Sequence, residues 1–150
     1  VRPGEHLRYL VLAAQREGSR MFAAALKPLG LTPAWAEAIS VLDEREPLTI
    51  RELGLLLVCE GEHPSRLVNR MVSAGLLTTE PSPDDDRARW IRLTSAARVL
   101  LPGLREIEDQ LHTAIEKTVN PTGLEACRAV LGGFVHGLPA GEALQRRVST

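Results

Sequence analysis

A mainly α-helical fold carrying one small β-hairpin is predicted by three features of this sequence of 150 residues. Apolar residues recur at three- and four-residue spacing over most of the chain, the spacing that lines one face of a helix. Around residues 76–93 that spacing gives way to extended, alternating stretches on either side of Pro81-Ser82-Pro83-Asp84-Asp85-Asp86, the pattern of two strands and a charged turn. Aromatic residues make up only 3% against 44% hydrophobic residues, so the core must be built from Leu, Ala and Val, which suit helices packed through aliphatic faces. The length covers one core rather than two, so residues 1–150 are expected to form a single domain.

The first helix is expected over residues 5–29, with Leu7, Leu10, Val11, Ala14, Met21, Phe22 and Ala25 on its apolar face and Pro28 and Gly30 ending it. Thr32 followed by Pro33 reads as an N-cap and first-turn proline for a second helix that stops before Pro47. Thr49-Ile50-Arg51-Glu52 has the spacing of a capping box, in which hydroxyl and carboxylate each satisfy an unpaired backbone N–H, and opens a short helix to about residue 57. After a turn over residues 58–62, a helix over residues 64–74 places Leu67, Val68, Met71 and Val72 inward and Ser65, Arg66, Asn69, Arg70 and Ser73 outward, with Gly75 as its C-terminal stop.

The hairpin follows, and after Thr94 comes a long helix with an aliphatic stripe from Leu100 to Val119, expected to bend at Pro102-Gly103. Asn120-Pro121 opens a last helix ending near Gly137 and Pro139, and residues 140–150 read as a loose polar tail. Gly132-Gly133 is expected at a close helix contact. Two helices joined by a short turn, then a hairpin, make a winged helix-turn-helix lobe over residues 48–94, flanked by helical regions at 5–46 and 95–137. The second helix of such a pair can lie in the DNA major groove. Arg66 and Arg70 stand one turn apart and suit phosphate or guanine, Asn69 suits adenine, and Ser65 suits either.

The segment Asp85-Asp86-Arg87-Ala88-Arg89-Trp90-Ile91-Arg92-Leu93-Thr94 resembles the wing of the MarR family, whose pattern is D-x-R, alternating residues, then L-T. Leu31-Thr32, Leu48-Thr49-Ile50-Arg51-Glu52-Leu53 and Met71-Val72-Ser73-Ala74-Gly75-Leu76-Leu77 fit the same family upstream, and the resemblance spans residues 5–135. Two places depart from it: Ala97 stands where members carry Gly, and His63-Pro64 opens the recognition helix in place of a small hydroxylated and β-branched pair. The resemblance implies a homodimer with interlocked terminal helices and two winged lobes on a pseudopalindromic operator in double-stranded DNA. It implies that Arg87 and Arg89 reach phosphate or the minor groove and that Asp85 braces Arg87 by a charge-assisted hydrogen bond. It also implies a transcription regulator, commonly a repressor, released by a small aromatic or phenolic effector, for which Tyr9, Arg16, Met21, Phe22 and Trp35 are candidate lining residues.

Other classes find little support. Sixteen Arg against two Lys favour forked contacts to phosphate and guanine, although the net charge is only -1. Asp84, Asp85, Asp86, Glu60 and Glu62 place negative charge where phosphates would approach, which is the case for the alternative reading, a winged-helix protein-interaction module that has lost DNA binding. Cys59 and Cys127 are far apart, outside any metal or disulfide spacing, and are expected to be buried reduced thiols. His6, His63, His112 and His136 have no ligand spacing, so no metal or other cofactor is expected. No nucleophile motif, phosphate loop or paired carboxylates point to an enzyme. With no apolar run of membrane-spanning length and no leader pattern, a cytoplasmic protein is expected.

Overall fold

Five helices begin at a residue whose side chain accepts a hydrogen bond from the first turn. In a computed structural model, which describes residues 1–59 and 62–149, Thr32 Oγ1 accepts from the Trp35 N–H at 3.2 Å, and Thr94 and Asn120 do the same for Ala97 and Gly123. Thr49 and Glu52 form the full capping box: the Glu52 N–H donates to Thr49 Oγ1 at 3.2 Å and the Thr49 N–H to Glu52 Oε2 at 2.7 Å. The resulting order is α1 (Pro3–Leu26), a 3-10 turn (Lys27–Leu29), α2 (Pro33–Arg45), β1 (Leu48–Thr49), α3 (Ile50–Leu56) and α4 (Pro64–Ser73). There follow β2 (Leu77–Pro81), β3 (Arg89–Leu93), α5 (Ser95–Thr118), α6 (Pro121–Val135) and α7 (Pro139–Val148). Gly75 takes a positive φ of 77°, the left-handed conformation that ends α4 and turns the chain into β2.

The hairpin is joined by a third strand where the sequence predicts only the approach to α3. All pairs are antiparallel, in the order β1-β3-β2, with Leu77 opposite Leu93, Thr79 opposite Ile91 and Leu48 also opposite Ile91. Ile91 is fully buried at the centre of this small sheet. Thr49 therefore has two duties, pairing with Trp90 in the sheet and capping α3.

The core gathers Leu26, Ile39, Leu42, Leu53, Val68, Met71, Leu77, Ile91 and Leu104 from helices α1 to α5 and both strands of the hairpin. It lies between α2, the α3–α4 pair, the sheet and the first half of α5. The far half of α5, all of α6 and most of α1 lie outside it: among the described residues Leu26 is the only buried one of α1, and α6 has none. Val72, expected inward, is 37% exposed, because the core-facing stripe of α4 is filled by Leu67, Val68 and Met71. Cys59 and Cys127, expected to be buried, are both exposed. Cys127 sits on α6, which has no layer over it, and Cys59 lies where the chain leaves α3.

Residues expected to trail as a loose tail instead form α7, which docks on α3 through buried Ala143. Gly141 permits the α6–α7 corner, since a Cβ there would collide with the Val135 carbonyl. Gly132 and Gly133, expected at a close helix contact, have nothing in the single chain within 4 Å of where a Cβ would stand. Gly103 is the tight one on α5, where a Cβ would come within 3.2 Å of the Leu29 side chain. Pro102 lies within α5, which runs from Ser95 to Thr118 across it.

Two carboxylates fasten these layers together. Glu37, only 9% exposed on α2, accepts from the Val58 N–H at 2.7 Å, the Cys59 N–H at 2.8 Å and the Arg147 guanidinium of α7 at 2.8 Å. Glu46 accepts from the Leu93 N–H at 2.7 Å and pairs with Arg98, joining the end of β3 to α5. Burying a carboxylate is costly unless donors surround it, so removal of the charge should weaken the fold. Glu37→Gln is expected to lower stability by about 1–3 kcal/mol, read as a reduced urea midpoint at unchanged slope. Arg147→Met, which leaves both backbone donors in place, should cost less, about 0.5–1 kcal/mol.

Candidate nucleic-acid interface

The α4 helix separates its residues sharply. Leu67, Val68 and Met71 are 3%, 0% and 0% exposed, while Arg66, Asn69, Arg70 and Ser73 all face solvent on the opposite side, spaced three and four residues apart. Ser65 is half-buried at the first turn, and its N–H donates to His63 Nδ1 at 3.3 Å. His63 is thus a working N-cap despite its unusual type, with Pro64 supplying the fixed first-turn backbone.

The pair α3–α4 is held close by a glycine that hydrophobic patterning does not single out. A Cβ at Gly54 would stand 2.9 Å from Pro64 Cγ, so a side chain there would push the start of α4 outward. The signal that could find it is an isolated Gly inside a short, well-capped helix.

The four arginines of the candidate interface are not equivalent. Arg70 is paired with Glu62 from the preceding turn. Arg89 lies back along its own hairpin, Nε donating to Thr79 Oγ1 and a terminal nitrogen to the Thr79 carbonyl, each at 3.2 Å. Among the described residues Arg66 and Arg87 have no intramolecular acceptor for their guanidinium groups. Asp85 does brace the wing tip, but through the backbone: its Oδ1 accepts from the Arg87 N–H at 2.9 Å, where a bond to the guanidinium was expected. This Asx-type turn, with Ala88 N–H donating to the Asp85 carbonyl and Ser82 N–H to the Ala88 carbonyl, shapes the tip and leaves the arginine head outside it.

Asp84, Asp85 and Asp86 are all exposed at the same tip. Glu60, the other acid expected near α4, lies outside the described residues. A groove of about 710 Å³ runs between the first turn of α3 and the wing, and Arg51 lines it with Arg87 and Arg89. Nothing in the sequence marks Arg51 for this place, because α3 is the helix of the pair that patterning assigns to support rather than to contact.

The five candidate effector-pocket residues are not brought together. Tyr9 is 51% exposed with Arg8 stacked 4.2 Å over its ring, Met21 is 66% exposed, and Arg16 faces solvent. Phe22 packs against the core. Trp35 alone of the five lines a cavity of about 430 Å³, where Gln15 and Ser19 are the contributors from α1.

Residues 29–88, from the end of the 3-10 turn to the wing tip, match the family model described as MarR family. Over that stretch the chain is similar to the MarR family. Its members are winged-helix transcription regulators. Among curated proteins the chain is similar to an organic hydroperoxide resistance transcriptional regulator of Bacillus subtilis, 27% identical over 73% of this chain and 87% of that one. Its fold is shared with MepR of S. aureus, solved with DNA, at a TM-score of 0.81, 19% identity and coverage of 87% and 97%. It is shared also with BpsR of Bordetella bronchiseptica, whose DNA binding is regulated by 6-hydroxynicotinic acid, at 0.79, 17% identity and coverage of 91% and 98%.

Cys59 lines the cavity beside Trp35, yet its surroundings make it a poor nucleophile. Partial burial, then the charge and hydrogen bond of the Glu37 carboxylate, push its thiol from 9.0 up to about 12, with Arg147 acting weakly the other way. The thiol therefore stays protonated near neutrality. Iodoacetamide should modify Cys59 of the folded protein far more slowly at pH 8 than it modifies the urea-unfolded chain, read by peptide mass analysis. Because the folded state holds this proton more tightly, its contribution to stability is present below pH 9 and is lost as pH rises from about 9 to about 12.

Proposed function

We propose that this chain is a sequence-specific DNA-binding transcription regulator that acts as a homodimer and represses by occupying a pseudopalindromic operator. The observation that carries the reading is the outer face of α4, where Arg66, Asn69, Arg70 and Ser73 stand clear of a helix whose inner face is fully packed. Arginine and asparagine at that spacing supply paired donors and acceptors for base edges in the major groove. The outward Arg87 head on a braced wing supplies a backbone or minor-groove contact, and Arg89 a second once it leaves Thr79.

Dimerisation is supported by the apolar side chains that one chain leaves uncovered. Leu7, Leu10 and Val11 on α1 and Val130, Leu131 and Phe134 on α6 are all exposed, and a second copy would bury them. Two lobes related by a twofold axis would then face successive half-sites. The cavity beneath α4 supports effector control, because a molecule bound there touches α1, α2 and the DNA-reading helix together.

Selection of bound duplexes from a random pool should enrich a pseudopalindrome with half-sites about one helical turn apart, and the Arg66→Ala/Arg70→Ala variant should lose that enrichment. Arg87→Ala should weaken binding to all sequences alike and reduce the salt-dependence slope by about 1. Failure to enrich any sequence, with residual binding indifferent to these changes, would favour a protein-interaction module, for which the three exposed wing-tip aspartates would be the starting point.

A further inference from the structure

The chain leaves its core along α5 and comes back to it along α7. Leu104 is the last buried residue of α5, Ala143 is the next buried residue in the chain, and none of residues 105–142 between them is buried. That stretch is an arm held at both ends. It carries Val130, Leu131 and Phe134, part of the exposed apolar surface that a second copy would cover.

The two ends are fastened separately. On the α5 side, Arg105 pairs with Asp43 and the Ser40 hydroxyl donates to Glu108 at 3.0 Å, so α2 holds this helix one turn past the core. On the α7 side, Arg147 donates to Glu37 at 2.8 Å, and Arg45 donates to the Arg147 carbonyl at 3.1 Å. Arg146 donates to the Leu55 carbonyl at 3.2 Å and so grips α3 itself, the first helix of the pair. Because α6 packs on α7, the apolar face of the arm reaches the lobe by two routes, through α5 and through α6 and α7.

A body carried on one helix keeps the freedom to turn about it, and a second tie away from the helix axis removes that freedom. For a protein that spans two half-sites the difference is large. Each base pair inserted between half-sites moves the second by about 3.4 Å and turns it by about 35°. Two lobes set rigidly on a shared arm engage both half-sites at one spacing, whereas lobes free to turn engage them at several. Arg146 and Arg147 belong neither to α4 nor to the wing, so replacing them leaves the residues of the reading face as they are.

We propose that α7 is the second tie that sets the distance and angle between the two reading lobes, and that Arg146 and Arg147 are positioning residues for operator spacing. This rests on the homodimeric regulator reading given above, and the test separates the two. Thr78, exposed on β2, reports lobe position without DNA. With Thr78→Cys spin-labelled in a Cys59→Ser/Cys127→Ala background, pulsed electron spin resonance reads the distance between lobes in the dimer. The distribution should be narrow, and about twice as broad in Arg146→Met/Arg147→Met at an unchanged circular dichroism spectrum. Arg146→Met alone, a change on an exposed side chain, should broaden it less and in the same direction.

On duplexes built from the selected half-site, a spacer longer or shorter by one base pair should cost the native protein about tenfold in affinity and the double variant about threefold or less. Penalties for half-site mismatches should be equal in the two proteins, and Arg146→Lys/Arg147→Lys, which keeps both charges, should recover much of the strictness. An equal loss of affinity at every spacing would make α7 a structural brace only and overturn the proposal, as would a distance distribution indifferent to the substitutions. A native protein that gives no distance because it is monomeric sinks the dimer reading and the proposal with it. Broadening in a chain that selects no DNA upholds the tie and sinks the DNA reading.

Discussion

The buried carboxylate of Glu37 is the constraint on which the helix-turn-helix lobe depends. Its two oxygens take three donors from places far apart in sequence: the turn after α3, and Arg147 on α7. Val58 and Cys59, just past α3, lie outside helix and strand, and an acid on α2 supplies the acceptor for their N–H groups. Arg45 adds a second tie from α2, donating to the Arg147 carbonyl at 3.1 Å, and Arg146 donates to the Leu55 carbonyl at 3.2 Å. These bonds fix where α3 ends.

From that anchor the rest of the interface follows by close packing. Gly54 lets Pro64 approach, the Leu67, Val68 and Met71 stripe seats α4 on the core, and Thr49 ties α3 to the sheet that carries the wing. Along this scaffold the arginines grade from held to free. Arg70 and Arg89 have partners that DNA or a ligand would have to displace, while Arg66 and Arg87 have none to lose among the described residues. Exposed ion pairs are worth little, so this grading matters little for fold stability.

Much of this is legible in the sequence because local rules decide it. The Thr49–Glu52 box, the Thr32-Pro33 start, the Gly75 stop and the polar face of α4 are each set by side chains within a few residues of one another. What sequence conceals depends on contacts across the fold. An acid amid Ala34-Trp35-Ala36 and Ala38-Ile39 is a visible anomaly, but its partners lie 21, 22 and 110 residues away. The helix at residues 139–148 reads as a tail because its own composition is polar; docking on α3, not propensity, gives it a role. The thiols mislead for the opposite reason, since cysteine is usually interior and α6 in a single chain has no interior to offer.

The distance between Glu37 and Arg147 also bears on how the protein comes into being. The helix pair and the wing leave the ribosome well before α7 does. Until those later residues are made, the Glu37 carboxylate lacks its guanidinium and accepts from the Val58 and Cys59 backbone donors alone. A contact of such long sequence separation must first meet the entropy of closing a long loop. The nascent lobe therefore lacks one of its braces during translation, and that brace arrives with a helix that lies outside the α3–α4 pair and the sheet.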